Sequence, residues 1–397
     1  MSLTLVNIRV LQPAGAITGG EVRLAGDRIA EIGPRLESAD GRRLDGAGLL
    51  LLPGIVDLHG DAFERQLMPR PGVHVAPEIG LIESDRQLLA NGITTAYHGV
   101  TLSWEPGLRG IDAGRAFLAA LAAVRPRLAC DTRVHLRFEQ FNVDAAPEIE
   151  GWIDQGRVDL LAFNEHTGDI ARHIELGKVG SYVARTGLDP AAFAALFARV
   201  RARRDEVPGA SARLAAAAAR RALPMASHDD DSLDTRMRFR ALGCRISEFP
   251  IDGATARGAI ATGDVVVLGA PNVIRGGSHA GRLGAAEAVR LGLCSVLTSD
   301  YYYPAQLHAA FALARAGIVP LGAAWDLVSS NAAAAVGLED RGAIVAGRRA
   351  DLVLVDDRDP ALPVVAATLV AGRAAFVGPS LAALGWQLGE RRESLPA

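Results

Sequence analysis

From Ile55 onward, short apolar runs alternate with alanine- and arginine-rich segments whose apolar residues recur at helical spacing. The runs read as strands over 55–59, 94–98, 133–138, 160–164, 224–228, 245–249, 265–268 and 295–298. The intervening segments predict helices over 79–91, 113–123, 191–203, 210–222, 233–242 and 285–291. Eight strands in this alternation point to an α/β fold, a parallel (β/α)8 TIM-like barrel. A doubly wound open sheet is the rival, but no GxGxxG follows the first strand.

The two ends of the chain have a different period. Strands over 4–10, 21–25 and 28–32 are separated by glycine-containing turns, Gly26-Asp27 being a hairpin signal. After the eighth barrel strand come helices over 307–316 and 323–335. β alternation then returns over 340–345 and 350–356, and a hairpin over 368–371 and 373–377 turns at Gly372. The predicted organisation is a small β-sandwich built from residues 1–52 and 342–397, around a barrel of residues 53–341. A long insertion occupies about 167–222, and the charged tail 389–397 lies outside the pattern.

Composition narrows the function classes. Hydrophobic residues at 49%, charged residues at 22% and a net charge of -3 describe a soluble globular protein. No basic excess points to nucleic acid and no polybasic tract to a membrane. The N-terminus has no charged and apolar leader pattern, so the cytoplasm is the expected compartment. Cys130, Cys244 and Cys294 are far apart and form no CxxC pair, which excludes a thiolate zinc cluster. Lys178 is the single lysine of an arginine-rich chain.

Active sites of such barrels lie at the C-terminal ends of the strands. Those positions carry His59 and Asp61, His98, His135 and Glu139, Glu165 and His166, His228 with Asp229–Asp231, Glu248, and Asp300. His98 reads more simply as a core histidine, and Asp229–Asp231 as a helix cap. Glu248 suits a partner that orients ligands. His59, Asp61, His228 and Asp300 are hardest to explain blandly. Asp300 in particular stands between an apolar strand and Tyr301-Tyr302-Tyr303, a poor place for an unpaired carboxylate. Imidazoles and carboxylates together suit a divalent metal ion, zinc first, with manganese or iron as alternatives.

Leu52-Pro53-Gly54-Ile55-Val56-Asp57-Leu58-His59, Ser299-Asp300 and the return Ala350-Asp351-Leu352-Val353 resemble the amidohydrolase superfamily over nearly the whole chain. A narrower set of motifs lies inside that match. It comprises His59-Gly60-Asp61, the stretch Met68 to Val73, Ala226-Ser227-His228-Asp229-Asp230 and Glu248-Phe249-Pro250. The long block Gly269 to Gly281 and Ser299-Asp300-Tyr301-Tyr302 complete it. These are similar to the diphosphatase family of the carbon–phosphorus lyase pathway of phosphonate utilisation. That family hydrolyses α-D-ribose 1-methylphosphonate 5-triphosphate to the 5-phosphate and pyrophosphate.

The resemblance implies a metal-dependent hydrolase with one or two divalent ions. It implies His59, Asp61, Glu139, His166, His228 and Asp300 as ligands, with Asp300 also the catalytic base. Glu165 and Glu248 are alternative ligands or supports. Arg70, Lys178, Arg275 and His279 are the cations assigned to phosphate or phosphonate oxygens. The chain departs from the superfamily in having Asp61 where a second histidine is common, no lysine on the fourth strand, and Glu248 on the sixth. The partner expected is a small phosphorylated molecule, with neither nucleic acid nor membrane, and a homo-oligomer is left open. A cyclic amidase or deaminase acting on a C–N bond is the alternative, because barrel and metal site alone do not choose the substrate. A metal-free scaffold subunit is a third reading, disfavoured by ligand-type residues at four strand ends.

Overall fold

The computed structural model describes residues 2–37, 41–277 and 282–389. Two eight-stranded sheets organise it. The first comes from both chain ends: β1 (Ser2–Leu11), β2 (Ile17–Ala25), β3 (Arg28–Gly33), β4 (Arg42–Asp45) and β5 (Leu50–Pro53). The second is the barrel, β6 (Ile55–Gly60), β7 (Ile93–Leu102), β8 (Asp131–Glu139), β9 (Leu160–Asn164), β10 (Met225–His228), β11 (Ile246–Glu248), β12 (Val265–Gly269) and β13 (Val296–Thr298). The chain then returns to the first sheet with β14 (Leu352–Asp356), β15 (Val364–Val370) and β16 (Arg373–Val377).

The end sheet is one hydrogen-bonded path, β16-β15-β14-β5-β1-β2-β3, with β4 pairing on β1. β1 pairs along one edge with β2. Its other edge meets β4 through Leu3–Val6 and β5 through Arg9 and Val10. The switch falls at Asn7, whose φ of 51° lies in the left-handed region. Side chains from both halves of the sheet, including Leu5, Val22, Leu51, Leu354 and Leu369, share one core. The expected strand over 340–345 does not form, because positive-φ turns at Gly342 and Gly347 break the extended backbone there. Residues 390–397, including most of the charged tail, lie outside the described residues.

Barrel strands pair in parallel from β6 through β13 in chain order. All six residues of β6 and all ten of β7 are buried, as parallel strands covered on both faces require. Val56, Leu58, Leu160, Ala162, Ala226, Ile246, Val267 and Val296 form one apolar cluster across the barrel strands. The ring closes through a bridge between Gly60 and Asp300. Asp61 N donates to Asp300 O at 2.7 Å and Asp300 N donates to His59 O at 2.9 Å.

Asp57 reinforces this seam. Its fully buried carboxylate accepts from Thr298 Oγ1, from Ser299 N at 2.9 Å and from Ser299 Oγ at 2.6 Å. A Cβ at Gly60 would lie 2.8 Å from Asp57 Oδ2, so this position admits no larger residue without a shift.

The helix expected over 323–335 is split into Leu321–Asp326 and Ser330–Ala335. Between them Leu327 O accepts from Leu297 N at 2.8 Å, Val328 O accepts from Val56 N at 2.9 Å, and Ser329 Oγ donates to Gly54 O at 2.7 Å. The break thus satisfies backbone groups of β6 and β13. Helices at Ala146–Asp154, Thr167–Glu175, Gly180–Thr186 and Gly253–Ala261 are additional to those the periodicity predicts. The helices around 167–220 dock on the barrel through Trp104, which packs against Phe193 and Phe197. Beside it, buried Glu105 accepts from Arg185 Nη2 at 3.0 Å. Among the described residues no helix is long and apolar enough to cross a membrane.

Candidate metal centre

Because residues two apart on a strand share a face, His135, Arg137 and Glu139 project the same way from β8. They meet His59 and Asp61 from β6, His228 and Asp229 from β10, Glu248 from β11 and Asp300 from the closing seam. Three of the residues just past their strands, Asp229, Phe249 and Asp300, have φ of 56°, 52° and 55°. Left-handed backbone at non-glycine residues is unfavourable and gathers at functional sites.

Glu248 is the hub, with no exposure at all. Its Oε2 lies 3.2 Å from His59 Nδ1, 3.3 Å from His228 Nδ1 and 3.6 Å from His135 Nε2. Burial disfavours its charge, but the neighbouring histidines, His135 first, hold its carboxyl well below the usual range. His135 Nδ1 lies 3.0 Å from Leu58 O and donates to it. Burial pushes this ring down to about 3, and its Nε2 faces the carboxylate with no hydrogen-bond partner among the described residues.

On the opposite edge of His59, Nε2 stands 3.5 Å from Asp61 Oδ1, a buried oxygen with no hydrogen-bond partner among the described residues. Two donors about 2.1 Å from one ion at a tetrahedral angle stand about 3.4 Å apart, so this pair fits a shared ion. Gly99 leaves the room for it, since a Cβ there would lie 2.5 Å from Asp61 Oδ1. Burial opposes a charge on His59, yet Glu248 and Asp61 outweigh it and raise the ring to about 10. Asp300, pushed up to about 6 by burial and by Asp61, completes this side.

A second group adjoins the first. His166 Nδ1 is 2.5 Å from Glu139 Oε1, and His166 Nε2 is 3.7 Å from Asp229 Oδ2. Burial works against His166 as well, but Glu139 and then Asp229 raise it to about 10. Donor atoms of His59, His228 and Glu248 converge closely enough to hold an ion, as do those of His166, His228 and Asp229. His228 belongs to both sets.

The remaining expected residues separate. Glu165 turns away, accepting from Thr167 N at 2.8 Å at the start of the helix Thr167–Glu175. His98 is buried against Phe63 and Phe117, where burial lowers it to about 4. Arg275 Nη1 donates to Tyr301 Oη at 3.2 Å, beside Asp300. Arg70 and Lys178 are exposed and form no ion pair with the described residues. His279 lies outside the described residues.

Asp229–Asp231 divide three ways. Asp229 faces His166, buried Asp230 accepts from Ser227 and Ser247, and Asp231 accepts from Thr235 Oγ1 at 2.6 Å. Sequence reasoning placed His135 and Asp229 at the strand ends without counting them as ligands, and gave Arg137 no role. The two-residue spacing 135, 137, 139 was the available signal for the first two.

A parallel barrel with imidazoles and carboxylates at one rim, flanked by a sheet from both chain ends, defines a hydrolase of the amidohydrolase superfamily. Solved structures share the fold. Dihydropyrimidinase from Brevibacillus agri has a TM-score of 0.60 at 15% identity, covering 95% of each chain. N-isopropylammelide isopropylaminohydrolase from Burkholderia multivorans has 0.64 at 22%, covering 94% of this chain and 98% of that one.

The alpha-D-ribose 1-methylphosphonate 5-triphosphate diphosphatase of Escherichia coli is 31% identical over 356 residues, 86% of this chain and 90% of that protein. The chain belongs to this diphosphatase's family. An adenine deaminase of Methylobacterium is 26% identical over 374 residues, 91% of this chain but 56% of its own length. No protein-family model matches.

Proposed function

We propose that the protein hydrolyses α-D-ribose 1-methylphosphonate 5-triphosphate, releasing pyrophosphate and leaving the 5-phosphate. The observation that carries this is the 31% identity to a diphosphatase named for that substrate, over nearly the full length of both chains. Zinc as the ion and the cytoplasm as the compartment belong to the same proposal. An imidazole and carboxylate donor set supports the first, and three free buried cysteines support the second.

His59, Asp61 and Asp300 would hold a divalent ion, and His228 stands between them and the His166–Asp229 group. When bound, such an ion acidifies water and offsets charge on phosphoryl oxygens. Glu248 orients the His59 ring by accepting from Nδ1, which leaves Nε2 directed toward Asp61. Asp300 accepts the proton as a water oxygen bonds to phosphorus. The P–O bridge to the leaving group breaks, and its electron pair departs on pyrophosphate. Arg275, tied to the rim through Tyr301, together with Arg70, Lys178 and His279, supplies the cations for phosphate oxygens.

The test is product analysis on the ribosyl triphosphate and on nucleoside triphosphates, separating pyrophosphate from orthophosphate and measuring ammonia from adenine. Equimolar pyrophosphate and monophosphate are expected. Ammonia release without pyrophosphate would assign the chain to C–N bond hydrolysis instead.

A further inference from the structure

The Arg137 guanidinium is 5% exposed and sits inside the rim between the two ligand groups. Its Nη1 donates to Asp61 Oδ2 at 3.0 Å and its Nη2 lies 2.9 Å from His228 Nε2. With its amide oxygen turned inward, Asn164 accepts from Nε and Nη2, each at 3.2 Å. Residues at or just past the ends of β6, β9 and β10 therefore grip one cation supplied by β8. This is a built position for positive charge.

Arginine only donates, so His228 Nε2 must be the acceptor in that contact. A neutral ring with a lone pair on Nε2 carries its proton on Nδ1, and that proton points to Glu248 Oε2 at 3.3 Å. Each nitrogen of His228 is then committed, and neither is free for a metal ion while Arg137 stays. The two carboxylate oxygens of Asp61 divide in the same way. Oδ2 takes Arg137, whereas Oδ1 has no hydrogen-bond partner among the described residues and faces His59 Nε2. On the His59 side, Asp61 Oδ1 is thus left over for an ion.

We propose that Arg137 stands in for a second metal ion, so that the centre takes a single divalent ion on the His59–Asp61–Asp300 side. It rests on the metal-hydrolase reading of this site but not on the substrate proposed for it. A guanidinium stays charged across the accessible pH range. Coulomb repulsion at contact distance in a poorly solvated site opposes a divalent ion bound to His166, His228 and Asp229.

The experiment is metal stoichiometry of purified protein, saturated with Zn2+ or Mn2+ and desalted, without substrate. The parent is expected to hold one ion per chain. Arg137→Met frees His228 Nε2 and Asp61 Oδ2, and its content should rise toward two. Arg137→Lys keeps the charge and should stay at one, which covers a failure of the methionine variant to fold. A parent with two ions, a folded methionine variant with no more than the parent, or a lysine variant with two overturns the proposal. Because no turnover is measured, a wrong substrate assignment leaves these outcomes unaffected.

Discussion

Glu248 Oε2 lies 3.2 Å from His59 Nδ1, and the same oxygen faces His228 Nδ1 at 3.3 Å. One carboxylate on β11 thereby sets the ring orientation of histidines on two other strands. Carboxylates that orient metal ligands contribute about 10–100-fold to affinity. Glu248→Gln should weaken metal affinity by that factor while circular dichroism stays unchanged. Competition with a chromophoric chelator measures it, and affinity equal to the parent's would remove Glu248 from the centre.

His59 and His166 stand at about 10 in the ion-free centre, so both are protonated at neutral pH. An ion that takes His59 Nε2 must displace its proton. Raised ring values mean that the proton competes less as pH rises, so affinity should climb between pH 6 and 9, by up to about tenfold per unit for one proton. Titration calorimetry in buffers of different ionisation enthalpy should register the proton released. Affinity flat across this range would contradict the role of His59.

Asp300 acts as a base only when ionised, and its carboxyl stands at about 6 before an ion binds. A nearby cation favours the carboxylate and moves that value down. The acid limb of kcat/KM should therefore lie at or below about pH 6. Asp300→Asn should abolish the limb and reduce turnover by about 100-fold or more. A limb above pH 7 would point to another base.

Gly99 supplies space rather than backbone freedom. Alanine there would bring a Cβ to 2.5 Å from Asp61 Oδ1, the oxygen that faces His59. Gly99→Ala should lower metal content and activity together while the melting temperature changes little. Full metal occupancy in that variant would show that Asp61 is no ligand.

Glu139 and Glu165 should separate cleanly. Glu139 meets His166 at 2.5 Å, whereas Glu165 accepts from Thr167 at a helix start. Glu165→Gln should cost at most about 1–2 kcal/mol of stability, in the range of a lost helix cap, and leave turnover within about twofold. Glu139→Gln should impair turnover far more. Equal kinetic effects would overturn the distinction.

Apolar periodicity by itself determined the barrel. A strand covered on both faces must be apolar along its length, and a helix packed on it must be apolar on one side, so eight such pairs carry their own signature. The strand-end rule then delivered His59, Asp61, His228, Glu248 and Asp300 without any knowledge of distances. Tertiary structure alone decided what these residues face. His135 and Arg137 lie within a strand, where an inward imidazole or guanidinium looks the same in sequence as an outward one. Their roles depend on Glu248 of β11 and His228 of β10, about a hundred residues away. The splitting of Asp229, Asp230 and Asp231 has the same origin, because the φ of 56° at Asp229 re-aims one carboxylate and no one-dimensional pattern records that turn.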